Sequence, residues 1–237
     1  VPDWEVDDEG LIEAWAVPLR DLVIFPKMVS PIFVGRETSL LAIQEAQDNN
    51  QTVIGLTQRD ADLDKPGEDD FLPVGVEMAV GRLLNMSDGA SSALVQGRRR
   101  VEVVEFVQVE PFIRVRVRPI IEAKDAEREL KALMRSVLDS FEKCVHLDRA
   151  LPEEAHLYAL NISEPGWLAD MIASAIAIDS VEKQKMLMLL DPATRLKRLN
   201  ILLAQEADVL ELEDKIHSQV QSEMRKNQRE FYLREQM

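Results

Sequence analysis

Cysteine is almost missing from this chain. Cys144 is the one thiol among 237 residues, so no internal disulfide can form and a reducing cytoplasm is the expected compartment. Positive charge is also in short supply: 28 Lys and Arg stand against 43 Asp and Glu, a net charge of −15. That balance opposes non-specific attraction to nucleic acid or to an anionic membrane surface. No apolar run approaches the roughly eighteen residues of a membrane span, and Val1–Gly10 is acidic where a signal peptide would be basic. The Gly-rich phosphate loops G-x-x-x-x-G-K and G-x-G-x-x-G are absent, as is the nucleophile elbow G-x-S-x-G. The expectation is a chain with no catalytic residue, no cofactor and no metal of its own. Cys144 and His146, two apart on a helix, point to different sides and make no metal pair.

What is present divides in two. Val17–Phe25, Thr52–Thr57, Val74–Leu84, Ala93–Val109 and Phe112–Ile120 are rich in β-branched and aromatic residues and read as strands. Asp88-Gly89 reads as a hairpin turn, and Pro26, Pro31 and Pro111 break the runs. One helix, Glu37–Asp48, interrupts them. The stretch from Arg59 to Asp70, with six carboxylates, reads as an exposed loop. Arg114, Arg116 and Arg118 alternate with Val115 and Val117, one face solvated and the other buried. After Ile121 the apolar period changes to about 3.6. Leu130, Leu133, Val137, Phe141 and Cys144 form the inner face of a helix over about 126–148. Pro152 at a helix start, with Ser163, Asp179 and Asp191 as N-caps, divides the remainder into shorter helices.

The residues from Ala204 to Met237 hold no Gly and no Pro. Val209, Leu212, Ile216, Val220 and Met224 recur at steps of three or four, a narrow stripe on one long helix that begins near Pro192. The helix has no capping signal at its end, which suggests that the sequence is cut inside an element. The fold class predicted is therefore α+β: a β-rich lobe over 1–121, a helical bundle over 122–203, and a long projecting helix over 204–237.

Two features suggest binding. The stretch from Leu22 to Phe33 is more apolar than one strand needs, and its prolines place part of it at an edge or loop, where Phe25, Pro26, Met28 and Phe33 are candidates for exposure. Met86, at the predicted hairpin tip, is similarly placed, and flexible Met side chains suit weak binding of many apolar sequences. Arg98, Arg99 and Arg100, with Arg114, Arg116 and Arg118, are the one basic concentration of the first half. They read either as a solvated face paired with carboxylates or as a surface for RNA or a small molecule.

Pro18-Leu19-Arg20-Asp21-Leu22-Val23-Ile24-Phe25-Pro26, continuing to Pro31-Ile32-Phe33-Val34-Gly35-Arg36, closely resembles the opening signature of the N-terminal domain of Lon, the ATP-dependent protease. Val95-Gln96-Gly97 with Arg100-Val101 is similar to that family's hairpin, and Gln228–Met237 to a segment of its long helix. The resemblance implies a PUA-like β lobe, a helical lobe, and a long helix leading toward ATPase and Ser-Lys protease modules. ATP and Mg would belong to those modules, so no catalytic residue is carried over. It further implies a hexamer whose N-terminal regions capture unfolded, damaged or degron-bearing proteins through apolar side chains. Candidates here are Phe25, Pro26, Met28, Phe33 and Met86, with Met224, Phe231 and Tyr232 on the closing helix. Rival readings are a PUA-like module for RNA or a small molecule, a self-contained peptidase, and a purely structural part of the hexamer. Lys27 departs from the family, which has a small residue, usually Gly, after Phe-Pro. A positive φ there would strain lysine.

Overall fold

The computed structural model describes residues 6–85, 91–122, 127–148 and 150–235. Six strands, β1 (Ile12–Leu19), β2 (Val29–Val34), β3 (Val53–Thr57), β4 (Val74–Asn85), β5 (Ser91–Gln108) and β6 (Ile113–Pro119), form one sheet in the order β2-β5-β4-β3-β1-β6. β6 pairs with β1 on one side and with the far half of β5 on the other, so five strands close into a barrel. β5 serves both ends because it is 18 residues long: its first half carries β2, its second half β6. Alternation fills the barrel. Ile12, Ala14 and Ala16 of β1, Ile54 and Leu56 of β3, and Ile113, Val115 and Val117 of β6 point into a shared core, while Val17, Leu19 and Val53 take the opposite parity.

The helices are α1 (Glu37–Asp48), α2 (Glu127–Leu147), α3 (Glu154–Leu160), α4 (Pro165–Ala175), α5 (Ser180–Met188) and α6 (Pro192–Glu235). Asp179 caps α5 by accepting from the Glu182 N–H, and Asp191 accepts from Thr194 N–H at the start of α6. Ser163 is not a cap. Glu164 occupies that position and Pro165 opens α4, leaving one fewer N–H for a cap to satisfy. The first strand also differs from expectation. It ends at Leu19, Asp21 takes φ 47°, and Val23, Ile24 and Phe25 run buried but outside any strand.

A second apolar cluster runs without a break from the outer side of the barrel (Val17, Ile32, Val76, Val95) to the helices (Val137, Phe141, Leu168, Leu196, Leu203). Its continuity makes the sheet and the helical bundle one packed body. α6 is the exception. Its first turns are buried through Leu196, Leu199, Leu203 and Ala207, but the 44-residue helix is about 66 Å long at ~1.5 Å per residue and continues past its neighbours. No described helix is long and apolar enough to cross a membrane.

Candidate functional site

The turn before β2 decides which apolar side chains are hidden. Phe25 to Met28 is a β-turn closed by Met28 N–H donating to Phe25 O (3.3 Å), with Pro26 second and Lys27, at φ 63°, third. That is the type II pattern, which ordinarily places Gly at the third position. Gly97 lies against the turn. Its N–H donates to Met28 O (2.9 Å) and its carbonyl accepts from Lys27 N–H (2.8 Å). The docking buries Phe25 to 1% exposure and half-buries Met28 against the core. Phe25 is therefore a core residue, not a binding residue, and Met28 is mostly packing. Pro26 lines a cavity of about 140 Å³ between the lobes.

Lys27 keeps its strained position by bridging the lobes. Its Nζ pairs with Glu164 and sits 4.8 Å from the centre of the Trp167 ring. A lysine in the left-handed region costs about 1–2 kcal/mol, against an exposed ion pair of about 0–1 kcal/mol and a cation–π contact of about 0.5–1 kcal/mol. Two substitutions separate these effects. Lys27→Ala loses the contacts and keeps the strain, whereas Lys27→Gly loses the contacts and relieves it. In urea titrations the glycine variant is expected to be the more stable by about 1 kcal/mol. Equal midpoints would mean the backbone is not strained there.

Behind this bridge lies a buried ionic network. Arg100 of β5 grips Asp170 of α4 with both terminal nitrogens at 2.7 Å, and Arg195 of α6 reaches the same carboxylate at 3.0 Å. Glu122, in the crossover to the helices, accepts from Arg195 at 2.7 Å and from Arg100 at 3.3 Å. Spare guanidinium donors are used on the Leu187, Leu189, Leu190 and Gly166 carbonyls. Arg100, Asp170 and Arg195 are each at most 3% exposed. Two cations and two anions close the charge count, which makes such burial tolerable.

Four more arginines of the basic concentration are also partnered. Arg99 pairs with Glu77, Arg114 with Glu13, Arg116 with Asp7, Glu9 and Glu105, and Arg118 with Glu102. Arg116 holds the Asp7 carboxyl below its usual range through their hydrogen bond. The β6 face is a neutralised, carboxylate-paired surface, and the reading as an RNA surface loses most of its residues. Cys144 is fully buried, with its thiol donating to Leu203 O (3.4 Å), and burial pushes its pKa up to about 11, so it is a packing residue. Among the described residues no cluster of His, Cys, Asp or Glu could hold a metal ion.

One set of exposed apolar side chains forms a sheet face. Phe33 is 75% exposed and Val29 53%, and both point outward from β2. Pro31, on the same parity, lies opposite Leu94 of β5, which is 56% exposed. Ser92 links Phe33 on one side to Leu84 of β4 on the other, and Leu84 is 59% exposed. Phe33, Pro31, Val29, Leu94 and Leu84 thus share one three-stranded surface. Of these, only Phe33 was expected. The signal for Leu94 was its parity between buried Ala93 and Val95; for Val29 it was alternation with Ile32 and Val34 across a proline. Met86 lies outside the described residues.

The second exposed set is on α6, where Val209, Leu212, Ile216, Val220 and Met224 are each about half exposed, between 49% and 58%. Phe231 and Tyr232 lie within the helix, but their side chains are outside the described set.

A closed barrel and a helical bundle sharing one core, tied by a buried ion network, define a compact α+β domain with an apolar outer sheet face. Residues 13–205 match the family model for the ATP-dependent protease La (LON) substrate-binding domain. The chain belongs to that family. It is 40% identical over 233 residues to Lon protease 2 of Herpetosiphon aurantiacus, covering 98% of this chain and 29% of that protein. With Lon protease of Heliobacterium modesticaldum it shares 39% identity over 221 residues, 93% of this chain and 27% of that protein. It therefore spans less than a third of the length of these relatives. The N-terminal domain of Mycobacterium avium complex Lon protease has the same fold, with a TM-score of 0.69 at 22% identity, covering 81% of this chain and 98% of that one.

Proposed function

We propose that this domain captures unfolded, damaged or degron-bearing polypeptides for a Lon-type ATP-dependent serine protease, and that it does so through the apolar face of β2, β5 and β4. The supporting observation is the cluster of Phe33, Val29, Leu94 and Leu84, exposed side by side on three neighbouring strands of a sheet whose other apolar side chains mostly fill two cores. Exposed apolar side chains in register on neighbouring strands lose hydration when covered, at about 25 cal/mol per Å² buried. Such a surface discriminates by exposed apolar content, which folded proteins conceal and unfolded ones offer.

Each copy binds weakly in this reading. Several copies on one oligomer, the hexamer of the Lon resemblance, raise the effective concentration of faces so that loose contacts add to useful retention. The half-exposed stripe of α6, including Met224, supplies either a further contact for substrate or the contact between copies. ATP and Mg would be used by the ATPase module of the longer protein, in the cytoplasm.

Fluorescence anisotropy with one labelled protein in its native and its permanently unfolded form tests the reading. The unfolded form is expected to bind with a micromolar Kd and the native form not at all. Equal, negligible binding of both would remove the capture role.

A further inference from the structure

The apolar face ends at β2, and among the described residues no strand lies beside the outer edge of β2, which is the first strand of the sheet and pairs with β5. The hydrogen bond from Gly97 N–H to Met28 O fixes which residues of β2 use their backbone inward. Met28 and Gly97 are a hydrogen-bonded pair. In an antiparallel ladder such pairs recur at every second residue, which gives Ser30 with Val95, Ile32 with Ala93, and Val34 with Ser91. The intervening residues Val29, Pro31 and Phe33 direct their backbone groups away from β5. Pro31 has no N–H, and its carbonyl receives only a long contact from its neighbour Ser30 Oγ at 3.4 Å. Two donors, of Val29 and Phe33, and three carbonyls therefore line the free edge. The same three residues carry the outward side chains.

A groove of about 530 Å³ runs beside this edge, walled by Pro31 and Phe33 on one side and by Pro18 and Leu22 on the other. Its charged lining is Arg20 and Arg36 against Asp64, two cations to one anion in a chain of net −15. It is a place where a neutral or acidic segment is not repelled.

We propose that polypeptide is taken up at β2 by strand addition: an extended, apolar, neutral-to-acidic segment lies in this groove and bonds to the backbone of Val29, Pro31 and Phe33. This deepens the capture reading and rests on it. Main-chain hydrogen bonds are the same for every sequence, so edge pairing supplies affinity without sequence preference, while Val29 and Phe33 of β2 itself select for apolar side chains at alternate positions. Proline at the centre of the strand removes one donor and discourages two such edges from joining each other.

The prediction is a parity effect in the ligand. The probe is a fluorescein-labelled nonapeptide, Asp-Val-Thr-Leu-Thr-Val-Thr-Leu-Asp, prepared unmodified, N-methylated at its valines and leucines, and N-methylated at its threonines. In strand addition only one of these sets of N–H groups faces β2. One N-methylated peptide is expected to lose tenfold or more in affinity for the full chain and the other to stay within about threefold of the unmodified peptide. Two modified peptides that bind equally, whether both as well as the parent or both weaker, would overturn strand addition while leaving capture by side chains standing. Failure of the unmodified peptide to bind also overturns it, and if the unfolded protein fails as well, the capture reading goes with it.

Discussion

Replacing Asp170 by alanine is expected to lower the unfolding free energy by about 3–5 kcal/mol, the typical cost of stranding a buried charge. Asp170 is 1% exposed and receives three guanidinium hydrogen bonds, two from Arg100 and one from Arg195. Its removal leaves two buried cations with the one partly exposed carboxylate of Glu122 between them. The effect should be large because the network ties β5 to α4 and α6, so relaxation around Arg100 would require the lobes to part. Arg114→Ala provides the contrast: that pair is partly exposed on both sides and should be worth no more than about 1 kcal/mol. Urea unfolding of the two variants side by side measures both. A loss under 1 kcal/mol for Asp170→Ala would mean that solvent reaches the network.

Gly97→Ala is expected to cost about 3 kcal/mol, at the upper end of what overpacking usually does. A Cβ at this position would lie 2.2 Å from the Phe25 carbonyl oxygen and 2.9 Å from its carbon. Both are backbone atoms of the turn that Gly97 holds by two hydrogen bonds, so no side chain can swing aside to make room. The turn would have to lift, exposing Phe25 and loosening the start of β2. The variant thus also perturbs the edge proposed to receive substrate. It should bind apolar probes of molten structure, such as anilinonaphthalene sulfonate, more strongly than the parent chain.

Much of this architecture was legible in the sequence because it rests on local pattern. The steps of three and four from Leu130 to Cys144 and from Pro192 onward fix helices that have no other way to bury an apolar stripe. Alternation in Arg114–Arg118 fixed both faces of β6. The reach of α6 beyond its neighbours followed from its narrow stripe. The failures are non-local. Phe25 looked available because prolines interrupt its strand, but burial came from Gly97, seventy-two residues away in sequence, against which no local pattern speaks. The role of Arg100 was hidden for the same reason. It sits in a basic run with Arg98 and Arg99, and only the packing of α4 and α6 on the barrel shows that it is buried with Asp170 rather than displayed. Leu94 and Leu84 were legible as strand residues but not as surface, since which parity faces outward depends on what the sheet packs against.

The positive φ expected of a small residue after Phe-Pro is present although lysine occupies the position, and Lys27 shows how a departure from a family pattern is accommodated. A glycine would serve the turn better. The lysine serves the joint, through Glu164 and Trp167.

The central claim is that the outer face of β2, β5 and β4 is what meets unfolded polypeptide. The most direct measurement is the affinity of the double variant Phe33→Ser with Leu94→Ser for a labelled, permanently unfolded protein, beside its urea midpoint. Both side chains are more than half exposed, so stability should change by no more than about 0.5 kcal/mol per site. The account predicts affinity reduced tenfold or more in a chain of unchanged stability; unchanged affinity in that well-folded variant would contradict it.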